Sequence, residues 1–544
     1  MELLLGLFGF LSVMLRCLCL VGAALVVGGV VFRHAIVLPV ADRALGPTRE
    51  VLGRLSRLLR GSAWLLAATA LATLLLDTLV MMGSLGMAPL LALTAPASLA
   101  FAAIAGGALV IASDDGEAGW RAPAAALLIL VGMICTTHSV SRLEHTALLV
   151  AASTLHQVGA YCWLGGLPYF LVVLNRATTA DRARLALRYS HLCAASVVLL
   201  LISAGLKSVF YIGGLAAVYG SQYGAMSSMK LTLFATLLCF GAGNFLATRR
   251  LAAEAALVVR LRRFVEVEML IGLTLMFVAG AMTSLPPAVD LGDNLAPWAT
   301  VKERVFTPRV PRLTSPDPSQ LAIPQEQARL DALAAEQNKR PLAAYVPGTG
   351  VGLPDTPADL AWSEYNHNWS GIFLLIIGVL ALFAQAGWKP AQNWPLMFFV
   401  LGLFVLIRSD PESWPTGDIN FFAAMRAPEV VQHRLAVVVT FIFAVFEWRV
   451  RKGRLAGTRA EYVFPAMNVA GGILLLAHTH DLNNPQEALL MEWSHLFAGL
   501  FALSAGCARW LEIRATGFTQ RVAGWVWPWS FVGMGLVMMF YRES

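Results

Sequence analysis

The chain has 544 residues, 58% hydrophobic and 13% charged, with a formal net charge of +7 at pH 7 and a mean hydropathy of +0.67. Soluble domains are about 45–50% apolar and about 25% charged, so this composition excludes a soluble globular protein, and the Arg-rich loops make the positive charge a sign of membrane orientation rather than of nucleic-acid binding. Seven cysteines, at 17, 19, 135, 162, 193, 239 and 507, sit in or beside apolar runs without a Cys-x-x-Cys pair, which points away from a disulfide framework or a zinc ribbon.

In chain order, fourteen apolar runs have about the length needed to cross ~30 Å of hydrocarbon. They are 5–32, 62–84, 88–112, 121–138, 146–174, 190–213, 226–248, 264–284, 369–386, 392–408, 431–449, 463–479, 488–508 and 521–541. Lipid cannot satisfy backbone polar groups, so each run is predicted to be a helix. The expected fold is therefore an all-α polytopic membrane bundle of about 14 helices, eight before a long connection and six after it. Residues 1–32 begin Met-Glu with no basic n-region, and their apolar run is too long for a signal peptide, so they read as a retained first helix.

The loops support an even count. Arg33, Arg43, Arg49, Arg54, Arg57 and Arg60 share one side with Arg176, Arg182, Arg184 and Arg188, with Arg249, Arg250, Arg260, Arg262 and Arg263, with Arg449, Arg451, Lys452, Arg454 and Arg459, and with Arg509, Arg514 and Arg521. The positive-inside rule makes that side cytoplasmic, so both termini are expected on the opposite side. Three domains follow: 1–284, a non-cytoplasmic strap at 285–366, and 367–544. Twelve prolines between 286 and 357 rule out a compact helical domain in the strap, leaving only about 325–339 for a short helix. No repeat relates the two halves, so an inverted-repeat transporter gains no support.

Polar groups inside a membrane are costly and mark functional candidates. The densest group is His478-Thr-His480-Asp-Leu-Asn-Asn-Pro-Gln-Glu-Ala-Leu-Leu-Met-Glu-Trp-Ser-His495, a polar turn between two apolar runs. Imidazole suits copper or zinc and thioether sulfur suits Cu(I), so His478, His480 and His495, with His433 on the same side, form the first candidate metal set; the plainer reading is an interfacial loop. Cys135 and His138, one turn apart, form a second set, and His156 lies about 16 Å down the fifth run from its start. Met226, Met229 and His145 would make a relay between them, although methionine also fills packing gaps. Asp77, Lys207, Lys230 and Glu268 are intramembrane charges. Asp77 with Lys207 or Lys230 reads as a structural ion pair, whereas Arg16, Glu268 and Asn244 have no partner legible in the sequence.

The stretch 155–287 resembles the CopD/PcoD copper-resistance membrane family. The resemblance is carried by Leu155-His156, Trp163-Leu-Gly-Gly-Leu-Pro168, Arg188-Tyr189-Ser190, Gly205, Tyr223-Gly224, Lys230, Asn244, Glu268 and Thr283-Ser-Leu-Pro-Pro287. Tyr189 stands where the family usually has Phe, and the back half looks like an extension of longer CopD-like chains. The resemblance implies a bacterial inner-membrane protein that handles copper, moving it inward from the periplasm or working beside periplasmic copper-binding proteins. The expected function is copper capture at the periplasmic face and movement across the membrane, without enzymatic activity. Two alternatives stand beside it: a haem-binding redox protein with His pairs as axial ligands, and a scaffold that hands copper to a partner without transporting it. There is no Walker motif, no Gly-x-Ser-x-Gly elbow and no cysteine with an evident base.

Overall fold

The structure, a computed structural model, describes residues 2–41, 47–114, 119–254, 256–292, 294–317, 357–411, 413–417, 419–425, 428–477 and 485–542. The expected helix at 325–339 and the residues His478 and His480 lie outside the described residues.

The protein is an all-α, multi-pass membrane protein. Among the described residues, eleven helices are long and apolar enough to cross a membrane. Three other expected spans correspond to helices that are shorter or interrupted by charge, Arg121–Cys135, Pro428–Arg451 and Val463–Ala477, so length and apolarity alone do not establish a count of fourteen. The expected run at 88–112 is broken into Pro89–Leu93 and Pro96–Ser113, each begun by a proline, whose fixed φ suits the first turn of a helix. The helix expected from 369 instead starts at Pro357, because its polar first turns bury Trp362, Glu364 and Asn368.

Contacts divide the chain into two compact units. One comprises Phe8–Ala217 and Met226–Asp290; the other comprises Glu2–Leu7, Val218–Ala225 and Leu291–Ser544.

The first unit is built on α1 (Glu2–Val31), α2 (Pro47–Leu85), α3 (Pro96–Ser113), α4 (Arg121–Cys135), α5 (Thr146–Trp163), α6 (Leu167–Arg176), α7 (Thr179–Tyr211), α8 (Gln222–Arg250) and α9 (Leu257–Ala281). A tight turn, Leu164–Gly166, separates α5 from α6, and α1 lies against it at backbone distance. A Cβ on Gly165 would stand 1.9 Å from the Ala24 carbonyl oxygen, and one on Gly28 would stand 2.2 Å from that of Tyr161. Only glycine permits this approach. Tyr169 donates to Leu25 O (2.9 Å) and Tyr189 to Trp163 O, while Phe32 and Phe170 pack on the Tyr189 ring at 5.1 and 4.8 Å. The Trp163–Pro168 motif and Tyr189 therefore seat α1 in the bundle.

The second unit contains α10 (Pro357–Gln385), α11 (Met397–Arg408), α12 (Pro428–Arg451), α13 (Val463–Ala477), α14 (Pro485–Arg514) and α15 (Gly517–Met539). Its centre is aromatic: Trp394, Phe398, Phe443, Phe464, Trp527 and Phe531 form one buried cluster. At one edge of the cluster, Arg451 lies over the rings of Trp394 and Trp527 and donates to Glu447 Oε1 (2.7 Å). Arg509 reaches the same carboxylate oxygen at 3.5 Å and Glu512 at 2.6 Å. Glu447 and Arg509 thus belong to a buried ion network tying α12 to α14.

Candidate metal-handling sites

In the second unit, α14 carries His495 and α10 carries His367, and their ring centroids are 6.4 Å apart at an interplanar angle of 78°. Each Nδ1 meets a main-chain carbonyl one helical turn earlier: Met491 O at 3.0 Å for His495 and Ser363 O at 2.9 Å for His367. A carbonyl can only accept, so both rings carry their proton on Nδ1, and in the neutral form Nε2 holds the lone pair. Metal-binding histidines are usually oriented in this way. Tyr541 lies against the His367 ring with a centroid distance of 4.1 Å and fixes its plane. The centroid separation is about the 6.3 Å expected if two Nε2 atoms faced each other across a metal at about 2.0 Å from each.

His433 has a different environment. It is exposed, and its Nδ1 is 2.7 Å from Asp410 Oδ1. His367 lies outside the sets of metal candidates that the sequence suggests. Nothing local marks it as the neighbour of His495, because the two helices are far apart in the chain.

In the first unit, α7 collects the polar side chains of α5. His156 Nδ1 is 3.0 Å from Ser203 Oγ, whose own proton goes to Leu200 O (3.0 Å). His156 therefore donates from Nδ1 and keeps its lone pair on Nε2. His145, at φ +54° just before α5, packs on Phe210 at 5.0 Å. Ser139 bonds both Ser153 (2.5 Å) and Tyr211 (2.9 Å), and Arg142 makes a bidentate pair with Asp290 at 2.7 and 2.8 Å. These bonds fix the turn after α4, which bears His138. His138 Nε2 is buried without a hydrogen-bond partner, whereas Cys135 is exposed. Burial, and then the nearby Arg16 cation, hold His138 below the usual histidine pKa.

The expected ion pair of Asp77 with Lys207 or Lys230 is not formed. Asp77 Oδ1 is buried without a hydrogen-bond partner. Lys207 lies instead beside Tyr211 of its own helix. Glu268, 3% exposed, lies next to Asn244, and its Oε1 and both side-chain polar atoms of Asn244 are without ordinary hydrogen bonds. Met226 and Met229 are buried on the first turns of α8. Among the described residues, no group of three or more His, Cys, Asp and Glu is arranged to hold a metal ion; the arrangements present are pairs.

Comparison with known proteins adds chemistry to this geometry. The family model described as Copper resistance protein D matches residues 183–282, which span most of α7 and all of α8 and α9. The chain is 26% identical over 174 residues to the copper transport protein CutJ of Bacillus subtilis (strain 168), a match covering 31% of this chain and 31% of that protein. No solved structure matches.

Proposed function

We propose that this chain, whose segment 183–282 belongs to the Copper resistance protein D family, captures copper at the non-cytoplasmic face of a bacterial inner membrane and moves it across. Its role in the membrane is copper-related; capture and direction are our reading. The observation that carries the capture step is the His367–His495 pair, two imidazoles whose Nδ1 protons are held by carbonyls and whose rings stand at a two-ligand spacing. Two-nitrogen coordination suits Cu(I), with sulfur or imidazole as additional ligands. His478 and His480, on the segment just before α14, would be such ligands.

The first unit would provide passage. His156 offers an imidazole on the CopD-like bundle, and buried Met226 and Met229 offer thioether sulfur to a soft cation. The arginine-rich loops orient the chain with both termini in the periplasm, where a copper-carrying protein would deliver the ion. This reading assigns the chain to transport rather than to enzymatic catalysis.

The test is copper entry into vesicles containing the full chain. Entry above protein-free vesicles is expected, with a drop of about tenfold or more in His156→Ala while copper binding to the purified variant persists. Copper binding with no protein-dependent entry would instead identify a delivery scaffold and overturn the transport reading.

A further inference from the structure

The second unit also contains a cavity of about 240 Å³ whose chemistry is not that of a soft metal. Its walls come from three stretches of chain: residues 309–312, Glu364 and Asn368 on α10, and residues 539–542 after α15. Three guanidinium groups, those of Arg309, Arg312 and Arg542, line it against a single carboxylate, Glu364.

These walls are held in place. Arg312 Nε donates to Glu364 Oε2 (3.0 Å) and its main-chain N–H to Asn368 Oδ1 (2.6 Å). Asn368 Nδ2 in turn donates to Tyr541 O (3.0 Å) and Met538 O (3.3 Å). Arg309 donates to Glu303 Oε1 (2.7 Å), and Arg542 to Glu303 O (3.3 Å). Arg309 and Arg312 each use one side-chain N–H in these bonds, and a guanidinium has five. Arg542 is 9% exposed; burial, then the nearby cations of Arg309 and Arg304, lower its pKa from the usual arginine value against the opposing charges of Glu364 and Glu303. Among the described residues three guanidiniums meet two carboxylates, Glu364 on the wall and Glu303 behind Arg309, so the cluster carries net positive charge, and a guanidinium fork matches the geometry of an oxyanion.

The position narrows the choice of oxyanion. The cavity begins where the spans Gly517–Met539 and Leu360–Gln385 end, the level at which hydrocarbon gives way to headgroups. Val310, on its wall, is 93% exposed, and Leu313 beside it is 45% exposed. A cationic cavity with open apolar side chains at its rim suits a molecule with a phosphate at one end and hydrocarbon at the other.

We propose that the cavity of Arg309, Arg312 and Arg542 is a phosphate-binding site, seated to take the headgroup of an anionic phospholipid with its acyl chains along Val310 and Leu313. The test is native mass spectrometry of the full chain in detergent with phosphatidylglycerol, phosphatidylcholine or inorganic phosphate as the probe. Phosphatidylglycerol is expected to be retained at least about tenfold more than phosphatidylcholine, as two charge-assisted hydrogen bonds would give. Arg309→Gln combined with Arg542→Gln should abolish that preference. Arg309→Gln alone should weaken it, and because that side chain is 57% exposed, this variant keeps the fold. Inorganic phosphate bound in an arginine-dependent way, without preference between the lipids, would overturn the lipid assignment and leave a free-phosphate site. If the substitutions affect neither probe, there is no phosphate site. Copper content measured on the same variants keeps this test separate from the metal reading, because neither arginine touches His367 or His495 in the contacts described above.

Discussion

His367 and His495 stand with ring centroids 6.4 Å apart although α10 and α14 are distant in the chain, and each ring gives its Nδ1 proton to a carbonyl of its own helix. The helices thus supply both the spacing and the tautomer, and in the proposed capture step a metal would meet rings whose Nδ1 protons are already held. Preorganisation of this kind reduces the cost of ordering ligands on binding.

The buried ion network of the second unit sets the first prediction. Glu447 is 1% exposed and serves both Arg451 and Arg509. Glu447→Gln would leave Arg451 without its carboxylate, while Arg509 keeps Glu512, and removing one partner of a buried pair costs about 3–5 kcal/mol. Thermal unfolding of the detergent-solubilised protein should show a large fall in midpoint. A surface control, Arg54→Gln, breaks only the exposed pair with Glu50 and should cost less than about 1 kcal/mol.

The close approach of α1 to the turn after α5 sets the second. Gly165→Ala would drive a methyl group into the Ala24 carbonyl. Overpacking typically costs about 1–3 kcal/mol, and backbone offers less relief than a side chain. We expect a reduced yield of folded protein and a lower unfolding midpoint, whereas Gly205→Ala, which meets nothing within 4 Å, should be tolerated.

His138 makes stability depend on pH with a defined sign. Its folded pKa is lowered by burial and then by Arg16, with Arg142 and Lys207 adding to the effect and the Thr283 backbone opposing it. The unfolded chain therefore takes up a proton more readily than the folded one. The stabilising contribution is present above the ordinary histidine pKa of about 6.5 and is lost as pH falls through that value toward the lower folded one. His138→Gln should lose less stability than the parent between about pH 7.5 and pH 5.5 in matched thermal melts.

Much of the architecture was legible because lipid imposes a simple rule: long apolar runs become helices. Breaks in those runs were less legible. The Leu164–Gly166 turn lies inside a run read as one span, and its glycines are explained only by the packing of α1 against Gly165 and of Tyr189 against Gly166. The candidate sites were legible as residue types but not as partners. Arg16 was singled out without a partner, and its Nε is buried in the structure without a hydrogen-bond partner. His433 was grouped with His495 by side alone, and the structure gives it Asp410. Both environments depend on helix rotation, which a nearly continuous apolar pattern does not encode.

The central claim is the copper-capturing imidazole pair, and the most direct measurement is the copper content of the purified full chain beside the variant His367→Ala, His495→Ala. The account predicts at least one bound Cu(I) per chain in the parent, lost or weakened about tenfold or more in the variant, with helicity unchanged. Copper retained undiminished by a folded double variant would contradict it.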